Sequence, residues 1–216
     1  MPVDKYKNFQ ELSQNHQQDV DYRIECEDRA SAFSVIAIHG GLIEPATAEI
    51  AKVIAGKDFN YYLFEGLQKH ARDLHLTSNN FDEPLATKMV GRSRICISIH
   101  GFKESCKRQV CIGGLNAKLK SIILGNLLKT GLIEQKTANP VDKFHAEDRA
   151  NIANRCAEGG VQIEISKALR DFLRDNPDKM ELFASAIRKS ISDYAAQGCA
   201  PPQPKPPTVI PEIRRR

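Results

Sequence analysis

Apolar positions change period several times along the 216-residue chain, and each change marks a predicted element. Ser34-Val35-Ile36-Ala37-Ile38 is short, apolar and β-branched, the pattern of a buried strand. Past His39-Gly40-Gly41 the spacing turns helical through Ala51, Val53 and Ile54, with Gly56 as the stop and Pro45 suited to the first turn. Arg94 to Ile99 places Ile95, Ile97 and Ile99 at every second position, and His100-Gly101-Phe102 follows. Gly160 to Ser166 reads as another buried strand, with Glu164 among apolar neighbours.

The remaining segments are placed the same way. Tyr22 to Cys26 alternates like an early strand able to pair with the one ending at His39, and Asn60 to Gly66 is an aromatic-rich strand whose rings read as core. Leu74 to Ser78 alternates like a strand edge, with His75 facing a crevice, and Ile133 to Lys136 reads as a short strand. Helical spacing covers Leu85 to Val90 (capped by Asn80 or Asp82), Leu115 to Leu128 (capped by Asn116, stopped at Gly131), Ser166 to Arg174 and Lys179 to Ala196. Tyr6 to Asn15 is a short helix or docked arm. Strands alternating with helices predict an α/β fold.

Length supports one core, so the expected organisation is an amino-terminal arm over 1–20, one domain over 21–198 and a Pro-rich basic tail over 199–216 that cannot be helical. No stretch approaches the ~18 apolar residues of a membrane span. The first 21 residues lack an apolar segment behind a basic one, which predicts synthesis in the cytoplasm. A net charge of +4 is mildly basic, and no basic stretch interleaved with aromatics marks a nucleic-acid partner; the same field would attract an anionic polymer or peptide, so charge does not choose between them. The six cysteines are scattered without a Cys-x-x-Cys pair and read as reduced thiols; Cys106 and Cys111 form a weaker alternative metal or redox pair.

His39 at a strand end and Glu44 across a Gly-Gly turn can be brought to one point, two thirds of a His, Glu, His zinc site. His100 repeats the same setting at another strand end, and ligands collect outside the carboxyl ends of strands in an open α/β sheet. His-Gly-Gly alone also fits a turn or a phosphate-binding loop, and Glu164 alone fits a solvated strand face. A serine hydrolase is excluded, because no Gly-x-Ser-x-Gly elbow accompanies the His-Gly-Gly. Arg155 suits a carboxylate with two parallel hydrogen bonds, or an internal pair with Glu158 or Asp148. Asn116 serves a helix cap or a substrate, and His75 a structural hydrogen bond or the site.

Six blocks occur in order: I-H-G-G-L-I-E at 38–44, Y-L-F-E-G-L at 62–67, L-H-L-T-S-N-N-F-D-E-P at 74–84, S-I-H-G-F at 98–102, I-G-G-L-N at 112–116 and N-R-C-A-E-G-G-V-Q-I-E-I-S at 154–166. Together they resemble the poly-γ-glutamate hydrolase family of phages and bacteria. That resemblance implies a single-domain mixed β-sheet flanked by helices, similar to the zinc carboxypeptidases, and hydrolysis of γ-glutamyl amide bonds. It implies Zn2+ held by His39, Glu44 and His100, with Glu164 acting on the water; Arg155, Asn154, His75, Thr77 and Asn116 are the candidate substrate contacts read beside it. A phage-encoded, monomeric protein released on host lysis to degrade a capsule is the biological setting it suggests. Two alternatives stay open: a zinc amidase acting on another substrate, such as peptidoglycan peptides or acylated amino acids, and an inactive binding protein. The segment 103–111 and the Pro-rich tail fall outside the matching blocks.

Overall fold

A computed structural model describes residues 4–103, 107–134 and 144–198. The predicted tail, Cys106 and the segment 135–136 lie outside these residues. Six strands form one sheet: β1 (Tyr22–Glu27), β2 (Phe33–Gly41), β3 (Asn60–Gly66), β4 (Ile95–Phe102), β5 (Val110–Gly113) and β6 (Val161–Ser166). Their spatial order is β1-β3-β2-β4-β6-β5. The four central strands are mutually parallel, and β1 and β5 run antiparallel at the two edges. The expected mixed sheet is therefore present. β1 pairs with β3, not with the strand bearing His39 as its sequence position suggests.

Helices α1 (Phe9–Asn15), α2 (Thr47–Ala55), α3 (Pro84–Arg92), α4 (Ala117–Lys129), α5 (Lys167–Asp175) and α6 (Pro177–Gly198) cover the sheet. One face is a continuous apolar layer. It carries Val35, Ala37, Ile95, Ile97, Ile99, Val161, Ile163 and Ile165, packed by side chains of α2, α4, α5 and α6 such as Ile54, Ile123, Leu169 and Ile187. At about 25 cal/mol per Å2 of apolar surface removed from water, this layer supplies much of the driving force for folding. The opposite face holds Ile36, Ile38, Tyr62 and Phe64 under α1 and α3, through Leu12, Ala86 and Val90. Leu12 is fully buried, so the amino-terminal segment contributes directly to this second layer.

The connection from β2 through α2 leads to β3 on one side of β2, while α3 then carries the chain across to β4 on the other. The strand order thus reverses between β2 and β4, and in open α/β sheets ligands collect at the carboxyl ends of the strands flanking such a reversal. Two helix starts and two predicted strands differ from expectation. α2 begins at Thr47, so Pro45 precedes the helix, and the residue between, Ala46, adopts φ 73°. α3 is capped by Glu83, whose carboxylate accepts the Ala86 N–H at 2.8 Å, in place of Asn80 or Asp82. Residues 74–78 form no strand: a 3-10 turn spans Ala71–Leu74, His75 is extended, and Ser78 already belongs to the next turn. Ile133 and Glu134 are likewise outside any strand. Among the described residues, no helix is long and apolar enough to cross a membrane.

Candidate metal centre

Strand parity explains how the site forms. Parallel pairing sets His100 opposite Glu164 and Ser98 opposite Gln162, so all four side chains share one face. His39 is an odd-numbered neighbour of Ala37 and, in a regular strand, would point into the apolar layer. The β2–β3 register shifts between Ala37 and Gly40: Ala37 pairs with Leu63 but Gly40 with Glu65, leaving Ile38 and His39 against Phe64 alone. This bulge rotates His39 onto the face of His100. Gly41 then turns at φ 62°, and the Glu44 N–H donates to the His39 carbonyl at 2.8 Å, folding Glu44 back over the strand end.

The three predicted ligands converge. His39 Nδ1 lies 3.2 Å from His100 Nδ1 and 3.3 Å from Glu44 Oε1, and His100 Nδ1 lies 3.9 Å from Glu44 Oε2. Among the described residues they form one group of donors lying within 4.8 Å of one another. Donor atoms about 2.0–2.2 Å from a tetrahedral zinc stand roughly 3.3–3.6 Å apart, so the spacing suits such an ion.

Protonation fits as well. His39 Nε2 is 2.9 Å from the Leu76 carbonyl, which only accepts, so Nε2 carries a hydrogen and Nδ1 is the nitrogen facing His100 and Glu44, where a proton or a metal ion can sit. His100 Nε2 meets Ser98 Oγ at 2.8 Å. Two ring lone pairs and a carboxylate pointed at one spot call for positive charge between them. Burial pushes His39 down, but Glu44 outweighs it and raises the imidazole, while burial and the His39 charge press His100 down to about 3. Burial opposes ionisation of Glu44, yet His39, His100 and the Gly101 N–H, 2.7 Å from Oε2, hold it well below the usual range.

Glu164 sits beside this group, 6% exposed, which removes the reading of a solvated strand face. Burial and the Glu44 charge push its carboxyl up to about 8. A buried relay orients it: Asn151 Nδ2 donates to Gln162 Oε1 at 2.9 Å, and Gln162 Nε2 donates to Glu164 Oε1 at 2.8 Å. The Ala153 N–H donates to Asn151 Oδ1, which fixes the direction of the whole chain. Gln162 and Asn151 are absent from the sequence-based site. The available signal was Gln162 alternating in phase with Glu164 inside an otherwise apolar strand.

The proposed substrate contacts fare differently. His75 stacks on His39 with ring centroids 4.1 Å apart, and its Nδ1 lies 2.8 Å from Asp4 Oδ1. Asp4 Oδ2 also takes the Thr77 N–H at 2.7 Å, so the amino-terminal segment pins the loop whose Leu76 carbonyl orients His39. No local pattern marks Asp4, which is 71 residues from its partner. The guanidinium of Arg155 is committed to carbonyls of Asn79, Phe81 and Ala150 at 2.7–3.0 Å, as buried carbonyls need donors, and neither expected acid pair forms. Glu158 pairs with Arg94 instead. Asn154 is also structural in its visible bonds: it accepts from Leu115 and Gly160 N–H and donates to Ala146 and Asp148 carbonyls. Asn116 caps α4 through the Leu119 N–H, and its amide donates to the Glu158 carbonyl and to Tyr194 Oη. Cys111 is buried in β5.

A family model described as poly-gamma-glutamate hydrolase matches residues 6–195. The chain belongs to the poly-gamma-glutamate hydrolase family. Protein YndL of Bacillus subtilis (strain 168) is 37% identical to this family member over 173 residues, covering 79% of this chain and 67% of that protein. The structure of a bacteriophage poly-gamma-glutamate hydrolase superposes with a TM-score of 0.83 at 32% identity, covering 90% of this chain and 100% of that one. The zinc-free apo form of YndL gives 0.81 at 30% identity, covering 89% and 99%. The match spans all six strands and the His39, Glu44, His100 and Glu164 positions.

Proposed function

We propose that this chain is a zinc-dependent hydrolase of γ-glutamyl amide bonds in poly-γ-glutamate. The observation that carries the reading is the convergence of His39 Nδ1, His100 Nδ1 and the Glu44 carboxylate, with Glu164 directly across the strand pair from His100. Three protein donors leave a fourth position open, as catalytic zinc sites do. A zinc ion supplies Lewis acidity there and can lower the pKa of water from about 15.7 to about 7. A relative solved in a form described as zinc-free supports that choice of metal.

The chain's own residues supply the rest. Glu164, held through Oε1 by Gln162, would take the proton of the attacking water once a cation among His39, Glu44 and His100 offsets the burial and the Glu44 charge that otherwise keep its carboxyl protonated, and would return it to the leaving amine nitrogen. His39 and His100 keep their Nδ1 lone pairs aimed inward because Leu76 and Ser98 occupy the opposite ring nitrogens. The net charge of +4 favours approach of a polyanion. The likeness to a bacteriophage enzyme supports a phage-encoded origin and a role in removing a capsule polymer after release by lysis.

Purified protein incubated with poly-γ-glutamate or with muropeptides, with and without a chelator, tests this reading. New amino groups should appear from the polymer only, stop with chelator and return with added Zn2+. Cleavage of muropeptides alone would transfer the same chemistry to another substrate, and activity unaffected by chelator would remove the metal.

A further inference from the structure

Arg170 occupies a position where the pattern of α5 calls for an apolar residue, on the buried side with Leu169 and Leu173. It is 1% exposed and heads the fully buried side chains by size. A buried guanidinium is costly unless its donors are matched, and here they are matched by backbone. Nε donates to the Ile165 carbonyl at 3.1 Å, Nη2 to the Phe102 carbonyl at 3.4 Å and Nη1 to the Pro45 carbonyl. Each acceptor lies one or two residues past a site side chain: Pro45 follows Glu44, Phe102 follows His100 by two, and Ile165 follows Glu164.

We infer that Arg170 is a positioning residue for the metal centre, tying together the three backbone segments that carry Glu44, His100 and Glu164. Two further observations bear on it. The guanidinium lies against Gly101, where any Cβ would come within 2.5 Å of Cζ, and the N–H of that same Gly101 holds Glu44 Oε2. Any side chain at 101 would therefore press on Arg170 while Gly101 is gripping Glu44. The carbonyl taken by Nη1 also precedes Ala46, an alanine in the left-handed region at φ 73°. Such a conformation persists only where its surroundings over-determine it. Arg170 is one of those constraints, and Glu44 sits in the turn it constrains. Lysine carries the charge but not the planar fork, so it cannot serve three carbonyls in fixed directions.

This inference rests on the zinc reading, and the test separates the two. Zinc affinity is measured by competition with a chromophoric chelator, alongside thermal unfolding, for wild type, Arg170→Met, Arg170→Lys and the distant core variant Ile187→Val. Loss of a group that orients metal ligands typically costs about 10–100-fold in affinity. Arg170→Met is expected to weaken zinc binding by that factor, with Arg170→Lys also weakened, while Ile187→Val loses stability at wild-type affinity. Wild-type affinity in both Arg170 variants overturns the assignment. So does failure of both to fold with zinc present, because Arg170 then serves the core and not the centre. Wild type that binds no zinc overturns the metal reading itself.

Discussion

The two faces of β4 and β6 are equally dry and oppositely composed. One presents Ile95, Ile97, Ile99, Val161, Ile163 and Ile165, all at 0% exposure. The other presents Ser98, His100, Gln162 and Glu164, none above 7%. Solvent therefore does not account for the polar set. An apolar side chain on that face would gain about 1.5–3 kcal/mol from burial, whereas an unpaired buried polar group costs about 1–3 kcal/mol. The polar face survives because its groups satisfy one another, Ser98 with His100 and Gln162 with Glu164. The apolar face holds the fold; the polar face spends stability to keep donors aimed at one point.

Substitutions on the two faces should accordingly separate metal binding, turnover and stability. The largest effect is expected from His100→Ala, which removes a ligand and should abolish both zinc uptake and hydrolysis, read by elemental analysis and product formation. Glu164→Gln should fold and retain zinc while losing about 10²–10⁴-fold in turnover, the usual contribution of a general base. Gln162→Leu cuts the relay but spares Glu164. A loss of about 10-fold or more in kcat with little change in KM is expected, of the kind seen when a supporting hydrogen bond to a site is removed. On the opposite face, Ile97→Ala should cost about 2–5 kcal/mol in denaturant unfolding with zinc stoichiometry unchanged. Smallest of all, Ile163→Val should cost about 0.5–1.5 kcal/mol. Should Ile97→Ala empty the metal site while remaining folded, the division between the faces would not hold.

The elements that could be read from sequence were those with a sustained period. The every-second-position isoleucines of β4 and the helical spacing of α4 and α6 placed those elements within a few residues. His39, Glu44 and His100 were legible because each stands beside a glycine turn or strand end, and they do converge. What was hidden depends on distance or on register. β5 is four residues long and draws its identity from pairing with β6. Leu74 to Ser78 imitates strand alternation, but no neighbouring strand offers it a ladder. The bulge that turns His39 is invisible until β3 is laid beside β2. Arg155 looked like a ligand for carboxylates because sequence does not show which carbonyls need a donor, and Asp4 reaches His75 across 71 residues. Arg170 was masked for the opposite reason: it fills a core position in an otherwise regular amphipathic helix.

The central claim, that a dry polar patch at the ends of β2 and β4 is a metal site, is tested most directly by zinc content per chain after extensive dialysis. Wild type and Glu164→Gln should each retain about one zinc per chain, and His39→Ala and His100→Ala should retain almost none. Equal zinc in all four proteins, or none in wild type after zinc has been supplied, would contradict the account.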